Sequence, residues 1–204
     1  LMSDKLKIMK EPVDQDNLDS QRQYFDHLNI TSWKGRLYRR YYLYPILNWH
    51  LNGKTLDVGC GLGSFLRSRK GSVGIDVNPY CVDHCNNSGL QTFLCRKTPY
   101  PFEDQEFDSV IFDNVIEHLD DPSNILEEIF RLLKYNGRLI IGVPTIAGYN
   151  SQADHRIFYD EPNLIKTTKK HNLQFLKSFY MPIRSKYLET RMNAHCLYAI
   201  FIKK

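Results

Sequence analysis

Glycines and carboxylates between residues 55 and 77 have the types and spacing of a ligand-binding turn. An apolar run that contains Asp57 is followed directly by three glycines at alternate positions, Gly59, Gly61 and Gly63. Glycine lets the backbone turn sharply and come close to a ligand with no Cβ in the way. A second apolar run ends at Asp76, whose carboxylate is placed to accept hydrogen bonds from a ribose diol. The pattern predicts a strand, a tight turn, a helix beginning at Phe65, whose free N–H groups point at the ligand, and a second strand.

The spacing of the glycines separates this turn from a dinucleotide-binding one, which has the pattern G-x-G-x-x-G. With Asp57 and Asp76, the turn resembles the first two motifs of class I S-adenosylmethionine-dependent methyltransferases of the small-molecule type, similar to the methyltransferase 11/23-like family. The resemblance implies that the turn lies under the methionine and ribose parts of S-adenosylmethionine, with S-adenosylhomocysteine as product. It implies that Asp76 holds the ribose hydroxyls and Asp57 orients the methionine end, with Cys60 and Val77 as neighbouring cofactor contacts. A tight turn in another α/β protein is the alternative.

A second stretch strengthens the resemblance. Residues 107–113 form an apolar run that predicts a strand, and they continue into the sequence Asn114-Val115-Ile116-Glu117-His118-Leu119. The resemblance implies that backbone groups near Asp113 and Asn114 meet the methionine end of the cofactor. Glu117 and His118 would then lie at the rim where the methyl group is presented.

One position departs from the family pattern. Where the family usually has an acid for the adenine amino group, this chain has Arg96. A guanidinium has no acceptor and cannot replace a carboxylate. Adenine recognition is therefore expected to use backbone groups near Cys95 and Arg96, or stacking of the arginine on the base.

Two histidines are candidate catalytic residues. Methyl transfer from a sulfonium is a displacement at carbon, and a hydroxyl acceptor needs a base or a metal to become nucleophilic. His155 lies on a polar loop after a predicted strand, and the ordinary pKa of histidine suits proton removal near neutral pH. Its alternative is a loop histidine bonded to Asp154 or to backbone. For His118 the alternative is a structural or cofactor-side role.

The sequence predicts no metal site. Three residues of metal-binding types lie close together but have no matching pair at zinc-finger spacing, so we expect them to be helix residues: Cys81, His84 and Cys85. Oxygen ligands occur in a single stretch with no second carboxylate cluster to complete an octahedron: Asp113, Asn114 and Glu117.

The order of apolar segments predicts a Rossmann-like, doubly wound α/β fold. The resemblance implies a seven-stranded, mostly parallel sheet with helices on both faces and a C-terminal antiparallel hairpin, which we place at residues 173–180 and 194–202. A helix is predicted over residues 80–87, and another begins at Asp160. A third is predicted to start with Asp121 as cap and Pro122 at the first position, and to stop at Asn136-Gly137.

The N-terminal residues divide into two parts. Residues 1–19 are polar and aperiodic and are expected to form a mobile tail, whereas residues 20–204 form a single methyltransferase domain. Within it, residues 20–50 predict a helical cap rich in aromatic and basic side chains. This cap can pack its aromatics on the sheet, cover the cofactor as a lid, or bind nucleic acid or a membrane surface. Four side chains from the cap and from the loop after Pro144 are candidate substrate contacts: Tyr38, Arg39, Tyr149 and Tyr159.

Composition limits the class of protein. The chain has 204 residues, 42% hydrophobic and 25% charged, which suits one globular domain. No apolar run approaches the ~20 residues of a membrane span, and no signal-peptide pattern is present. Five scattered cysteines suggest reduced thiols, so we expect a cytoplasmic monomer or dimer. Residues 161–204 contain 9 basic and 2 acidic side chains, whereas residues 51–160 contain 10 basic and 15 acidic ones. The basic flank suits an anionic acceptor that reaches the site from that side.

The function expected from these residues is methyl transfer to a small polar acceptor, as O-methylation of a sugar or related metabolite. Amine, quinone and RNA acceptors are alternatives. A further alternative is a methyltransferase-like protein that binds the cofactor without turnover.

Overall fold

The computed structural model describes residues 15–30 and 32–204, with side chains from residue 18 onward. The helices in chain order are α1 Gln15–Asn29, α2 Trp33–Tyr38, α3 Tyr44–His50, α4 Pro79–Asn87, α5 Ser123–Leu132, α6 Ile146–Tyr149, α7 Glu161–Lys169 and α8 Lys186–Glu189. The strands are β1 Thr55–Val58, β2 Val73–Asp76, β3 Gln91–Leu94, β4 Phe107–Asp113, β5 Leu133–Pro144, β6 Leu173–Met181 and β7 Cys196–Lys203. A π-helical turn, Arg39–Leu43, joins α2 to α3, and 3₁₀ turns occupy Leu66–Ser68 and Ile116–His118.

The strands form one seven-stranded sheet in the order β3-β2-β1-β4-β5-β7-β6. Pairings from β3 through to β5 are parallel, whereas β7 runs antiparallel to both β5 and β6. The predicted fold class and C-terminal hairpin are therefore confirmed. The order reverses direction beside β1, so the carboxyl ends of β1 and β4 border a crevice of the kind in which open α/β sheets bind ligands.

Apolar side chains cover both faces of the sheet. Val110 and Phe112 belong to one core cluster, whereas Ile111 between them belongs to the other, as the alternation of a strand requires. The first cluster contains Leu126 of α5 and Leu164 of α7. The second contains four residues of the N-terminal segment: Leu43, Tyr44, Leu47 and Leu51. The sheet is thus covered by helices on its two faces, and the site lies at its carboxyl edge.

The prediction of a helix beginning at Phe65, after the glycine turn, is wrong. Residues 61–65 form turns, and a single 3₁₀ turn follows at Leu66–Ser68. The chain has only nine residues between Gly63 and Val73, and Gly71 already takes a φ of 76°. The glycine turn is therefore followed by a single 3₁₀ turn and by no α-helix before β2.

The helix of residues 123–132 differs from its prediction at both ends. Pro122 occupies the cap position itself, and Asp121 Oδ1 accepts a hydrogen bond of 2.9 Å from the Ser123 N–H. At the other end Leu133 is already extended and pairs with Phe107, so β5 begins four residues before Gly137. Leu133 is fully buried at the junction of α5 and β5, and this burial explains why the helix ends earlier than predicted.

The N-terminal segment is helical from residue 15, so residues 15–19 belong to α1 and not to a tail. Residues 1–14 of the predicted tail lie outside the described part of the chain. Leu43 and Leu47 are buried against the sheet, whereas Arg36, Arg39 and Arg40 are exposed, which fits the packing alternative.

Other expectations can be compared directly. The predicted helix at residues 80–87 is confirmed as α4, and its Cys81 and Cys85 are buried helix residues. All five cysteines are free thiols. Asp160 caps α7, because its Oδ1 accepts from the Asn163 N–H at 2.8 Å. Within the described ranges, no helix combines the length and the apolar character needed to cross a bilayer.

Candidate active site

The glycine turn leaves β1 and folds back onto the end of β2. The N–H groups of Gly59 and Cys60 both donate to the carbonyl of Ile75, at 2.9 and 3.0 Å. All three glycines have a positive φ, 78°, 50° and 70° in chain order. A Cβ at Gly59 would overlap Cγ2 of Val115, so glycine is required there by space as well as by backbone conformation. The sequence prediction of a tight turn is confirmed.

Asp76 is held in place by backbone donors. Its Oδ2 accepts from the Gly61 N–H and its Oδ1 from the Asn78 N–H, each at 2.8 Å. Burial raises the pKa of Asp76, and these hydrogen bonds oppose the increase. The carboxylate is fixed at the carboxyl end of β2, where its remaining lone pairs can accept hydroxyl donors.

Two more carboxylates lie at this edge of the sheet: Asp57, which is buried, and Asp113, which is partly buried. Burial raises the pKa of Asp57 well above its ordinary value, and the nearby charges of Asp113 and Asp76 add to the increase. The pKa of Asp113 is also raised by burial, against the opposing effects of the Tyr198 hydroxyl and the charge of Arg39. Several poorly compensated carboxylates in one place favour a cationic ligand. A sulfonium with an α-ammonium group has the required charge.

Asn114 turns the chain away from β4 at the same edge. Its φ of 53° lies in the left-handed region, which asparagine tolerates better than most residues. Its N–H donates to the carbonyl of Gly142 at 2.9 Å, and its side-chain amide donates to Asp113 Oδ1 at 2.8 Å. The structure therefore brings Asp113 and Asn114 together with Asp57, as the sequence predicted.

The predicted adenine end is formed by the residues after β2 and β3. Cys95 is buried and its N–H donates to the carbonyl of Asp76 at 2.9 Å, whereas Arg96 is exposed. Val77 is 56% exposed and Leu94 is also exposed, so two neighbouring strand ends present apolar surface. A purine ring can stack on this apolar surface. The Arg96 guanidinium carries only hydrogen-bond donors, so it cannot accept from the adenine amino group.

The two candidate catalytic histidines lie together. The rings of His118 and His155 are 4.7 Å apart in an edge-to-face arrangement. His118 Nδ1 lies 3.0 Å from a carboxylate oxygen of Asp154, and His155 Nδ1 lies 2.8 Å from the backbone carbonyl of Tyr149. Of the alternatives left open for His155, the structure shows the contact with backbone, whereas Asp154 pairs with His118. The role of His155 as a base stays a prediction, for which Nε2 is the available nitrogen.

Glu117 stands beside the histidine pair and is buried. Burial raises its pKa to about 8, and the charges of Asp113 and Asp154 contribute further. In the part of the chain that the structure describes, neither carboxylate oxygen has a hydrogen-bond partner in another residue. Ligand atoms of Glu117, His118 and His155 all lie within 4.8 Å of one another.

The four predicted substrate residues are placed differently from one another. Tyr38 and Arg39 lie on the N-terminal helical segment near Asp113, and burial raises the pKa of the Tyr38 hydroxyl to about 12. Tyr149 stacks on His155, with ring centroids 5.4 Å apart. Tyr159 is only 5% exposed and packs in the first core cluster, so most of its side chain belongs to the core.

Three further residues contribute to the site and were not predicted as site residues. Burial raises the pKa of the Tyr24 hydroxyl in α1 to about 12, and the nearby charges of Asp76 and Glu117 add to the increase. Tyr198 of β7 donates to Asp113, and Asp154 holds His118. Only Asp154 could have been found from the sequence, as the neighbour of His155, because Tyr24 and Tyr198 reach the site through tertiary contacts.

Comparisons with known proteins agree with this geometry. The family described as a methyltransferase domain matches residues 56–141. An uncharacterised protein, MJ1123 of Methanocaldococcus jannaschii, is 27% identical over 130 residues, which cover 61% of this chain and 62% of that protein. A probable tRNA methyltransferase 9B of Mus musculus is 33% identical over 92 residues, or 43% of this chain and 21% of that protein.

A solved structure shares the fold over nearly its whole length. It is a S-adenosylmethionine-dependent methyltransferase of Thermotoga maritima, described as a possible histamine N-methyltransferase, with a TM-score of 0.71 and 18% identity. The alignment covers 90% of this chain and 99% of the other. The matched region, residues 56–141, contains the glycine turn, Asp76 and the Asp113–His118 stretch described above. Residues 56–141 of the chain thus match the methyltransferase-domain family, and the chain shares the fold of a S-adenosylmethionine-dependent methyltransferase, while it spans about three fifths of MJ1123 and about a fifth of the mouse protein.

Proposed function

We propose that this protein transfers the methyl group of S-adenosylmethionine to a hydroxyl of a small polar acceptor, such as a sugar or a related metabolite. The observation that carries the proposal is the His118–His155 pair beside Glu117, at the sheet edge that holds Asp57 and Asp113. A hydroxyl must lose its proton to become a good nucleophile, and imidazole suits that task near neutral pH.

His155 has the geometry of a general base. Its Nδ1 faces the carbonyl of Tyr149 at 2.8 Å, a contact that requires a proton on that nitrogen. In the neutral ring Nε2 is then the acceptor. Stacking on Tyr149 holds the ring plane, so the lone pair of Nε2 has a fixed direction.

Arg39 supplies positive charge for an acceptor that is anionic or rich in hydroxyls. It is exposed, yet its charge reaches Asp113, so the guanidinium lies near the methionine end of the predicted cofactor position. It belongs to a π-helical turn, a feature that is frequent at functional sites.

Activity with a panel of acceptors tests the proposal. Purified protein is incubated with S-adenosylmethionine and sugars, polyols, phenols, amines or quinols, and S-adenosylhomocysteine is measured. We expect turnover with a hydroxyl acceptor, and a loss of about 10²-fold or more in His155→Asn with unchanged binding of S-adenosylhomocysteine. The control is His27→Asn, which changes an exposed histidine of α1. Turnover with amines alone would contradict the proposal, and binding without turnover would favour a non-catalytic protein.

RNA is the second candidate acceptor, because of an exposed aromatic and basic surface on residues 33–41. Trp33 and Tyr41 are 61% and 67% exposed. Lys34 lies over the Trp33 ring and Arg40 over the Tyr41 ring, at 5.8 and 5.5 Å from the ring centroids. Exposed rings and cations suit base stacking and phosphate contact. The similarity to the probable tRNA methyltransferase points the same way.

Salt dependence separates the two acceptors. Binding of transfer RNA should weaken steeply between 50 and 200 mM salt, and should fall further in the double variant Trp33→Ala, Arg40→Ala, if RNA is the substrate. If the unchanged protein and the double variant bind transfer RNA equally weakly at low salt, RNA is excluded as the substrate and the small acceptor stays the proposal.

A further inference from the structure

We propose that Glu117, His118 and His155 bind a divalent first-row transition-metal ion and leave coordination positions open for the acceptor hydroxyl. The three side chains come from two segments, the 3₁₀ turn after β4 and the loop after α6. The sequence predicted no metal site because it grouped Glu117 with oxygen ligands of its own stretch. The fold instead brings Glu117 to a histidine 38 positions further along the chain.

The first argument is the state of Glu117. The residue is 1% exposed, and among the described residues no other residue offers a hydrogen-bond partner to either of its buried carboxylate oxygens. Buried polar atoms without partners are rare because they lose their hydration and receive nothing in return. Each of the two imidazoles offers a ligand nitrogen within 4.8 Å of a Glu117 carboxylate oxygen. A cation between these groups would satisfy both oxygens.

The second argument is the arrangement behind the histidines. Metal-binding histidines almost always donate their other ring N–H to a carboxylate or a backbone carbonyl, which fixes the tautomer and the ring orientation. Here His118 Nδ1 faces Asp154 at 3.0 Å and His155 Nδ1 faces the Tyr149 carbonyl at 2.8 Å. In both rings the remaining nitrogen is Nε2. Both histidines therefore have the outer contacts of a ligand.

Backbone contacts hold the two segments together. The carbonyl of Glu117 accepts from the N–H groups of Arg156 and Ile157, at 2.7 and 3.2 Å. The loop with His155 is thereby attached to the turn with Glu117 and His118. The ligand atoms lie within 4.8 Å of one another, whereas bonds of about 2.1 Å in a tetrahedral site put them about 3.4 Å apart. Binding an ion therefore requires these ligand atoms to approach one another by at most about 1.4 Å.

The ligand types indicate the class of metal. Two imidazole nitrogens and one carboxylate suit Zn²⁺, Co²⁺, Mn²⁺ or Fe²⁺, whereas Mg²⁺ and Ca²⁺ prefer oxygen ligands throughout. Three protein ligands with open positions are typical of catalytic rather than structural zinc sites.

The chemical consequence rests on the proposed function. An acceptor hydroxyl bound to the ion loses its proton to solvent, because the cation stabilises the alkoxide. The oxygen lone pair forms the C–O bond to the methyl carbon, the S–CH₃ bond breaks, and its electron pair stays on sulfur to give the neutral thioether. In the metal-bound protein Nε2 of His155 is a ligand, so the ion replaces that histidine as the activating group.

Metal binding can be measured without any acceptor. Tag-free protein is treated with EDTA, exchanged into metal-free buffer and titrated with CoCl₂ or ZnCl₂, with visible absorption, calorimetry and elemental analysis as readouts. We expect about one equivalent of Co²⁺, and affinities at least tenfold weaker in Glu117→Gln, His118→Asn and His155→Asn. Asp154→Asn should weaken binding about tenfold through His118. His27→Asn is the control and should bind as the unchanged protein does.

The same samples are titrated with S-adenosylhomocysteine. Unchanged cofactor binding in His155→Asn shows that a loss of metal binding is not a loss of fold, and this variant lies on a loop even if the buried Glu117 variant fails to fold. An absence of metal binding, or equal affinity in the His155→Asn variant and the control, would overturn the inference. A protein that binds metal but methylates no hydroxyl would instead contradict the proposed function and leave the metal site standing.

Discussion

At the scale of single residues, the buried carboxylates give the site its preference for a cationic ligand. Asp57, Asp76 and Asp113 all have raised pKa values, with burial as the largest cause. A cofactor with a sulfonium charge lowers the free energy of the ionised forms. The carboxylates that cost stability in the free protein therefore contribute affinity in the complex.

This balance predicts how stability changes with pH. The folded pKa of Asp57 is well above its unfolded value near 3.8, so the folded state holds a proton that the unfolded state has lost. Stability of the cofactor-free protein should then fall as pH rises from the unfolded value toward the folded one, by at most about 1.4 kcal/mol per pH unit for this proton. Urea unfolding between pH 5 and 8 should show a shallower decline in Asp57→Asn. Parallel curves for the two proteins would contradict the prediction.

The glycine turn makes a second prediction at this scale. Gly59→Ala combines a positive φ with overlap on Val115, whereas Gly71→Ala combines a similar φ with open space around the new Cβ. We expect Gly71→Ala to cost about 1 kcal/mol and Gly59→Ala to cost several kcal/mol and to abolish S-adenosylhomocysteine binding. Thermal unfolding and calorimetry measure both effects. Partial rescue of Gly59→Ala by Val115→Ala is expected, and equal costs for the two glycines would be inconsistent with the overlap.

At the scale of elements, an arginine–glutamate pair connects α5 to the segment before β4. Glu128 is buried, and its Oε1 accepts from the Tyr100 N–H and from Arg131 Nη2, each at 2.6 Å. Arg131 Nη1 also donates to the carbonyl of Phe102 at 3.0 Å. The pair thus fixes the connection between β3 and β4, on which the position of Asp113 depends.

Removing Glu128 leaves the buried Tyr100 N–H without this acceptor, whereas Arg131 is partly exposed and keeps Asp104 and the Phe102 carbonyl as partners. Glu128→Ala should destabilise the protein by about 2 kcal/mol, because the Tyr100 N–H loses its acceptor and the Glu128–Arg131 ion pair is lost. The control is Lys134→Ala, which removes the more exposed ion pair with Asp108 and should cost less than about 1 kcal/mol. Urea midpoints measure the difference. Similar midpoints for the two variants would show that the buried pair adds nothing.

At the scale of the whole molecule, the sheet and its ligand edge could be predicted from local sequence. Asp57, Asp76 and Asp113 each end or adjoin an apolar strand, so a strand prediction brings them to one edge. The failed helix after Gly63 and the early end of α5 depend on chain length and on the burial of Leu133, which no local pattern contains. The proximity of His155 to Glu117 depends on a loop that returns across the edge. Periodicity carries no information about such a return.

The N-terminal helix completes the molecule at the cofactor side. The Gln21 carbonyl of α1 accepts from the Asn78 side chain at 2.7 Å, and Phe25 contacts the rings of Tyr80 and His84, at 6.3 and 5.8 Å between centroids. Leu28 of the same helix lies beside Gly61, where a Cβ on that glycine would be 3.7 Å from Leu28 Cδ1. These contacts support the lid alternative for α1, which we propose covers the bound cofactor.

A lid of this kind should respond to the cofactor. Hydrogen exchange of the α1 amides should slow when S-adenosylhomocysteine binds, because the ligand fills the space between the glycine turn and the helix. Phe25→Ala removes the aromatic contact with α4 and should weaken cofactor affinity about tenfold, since a lost apolar contact of this size is worth roughly 1–2 kcal/mol. Trp49→Ala is the control, because that side chain is 84% exposed and contributes little to packing. The lid proposal would be contradicted if S-adenosylhomocysteine left hydrogen exchange in α1 unchanged and Phe25→Ala left cofactor affinity unchanged. The helix would then serve only to pack against the domain.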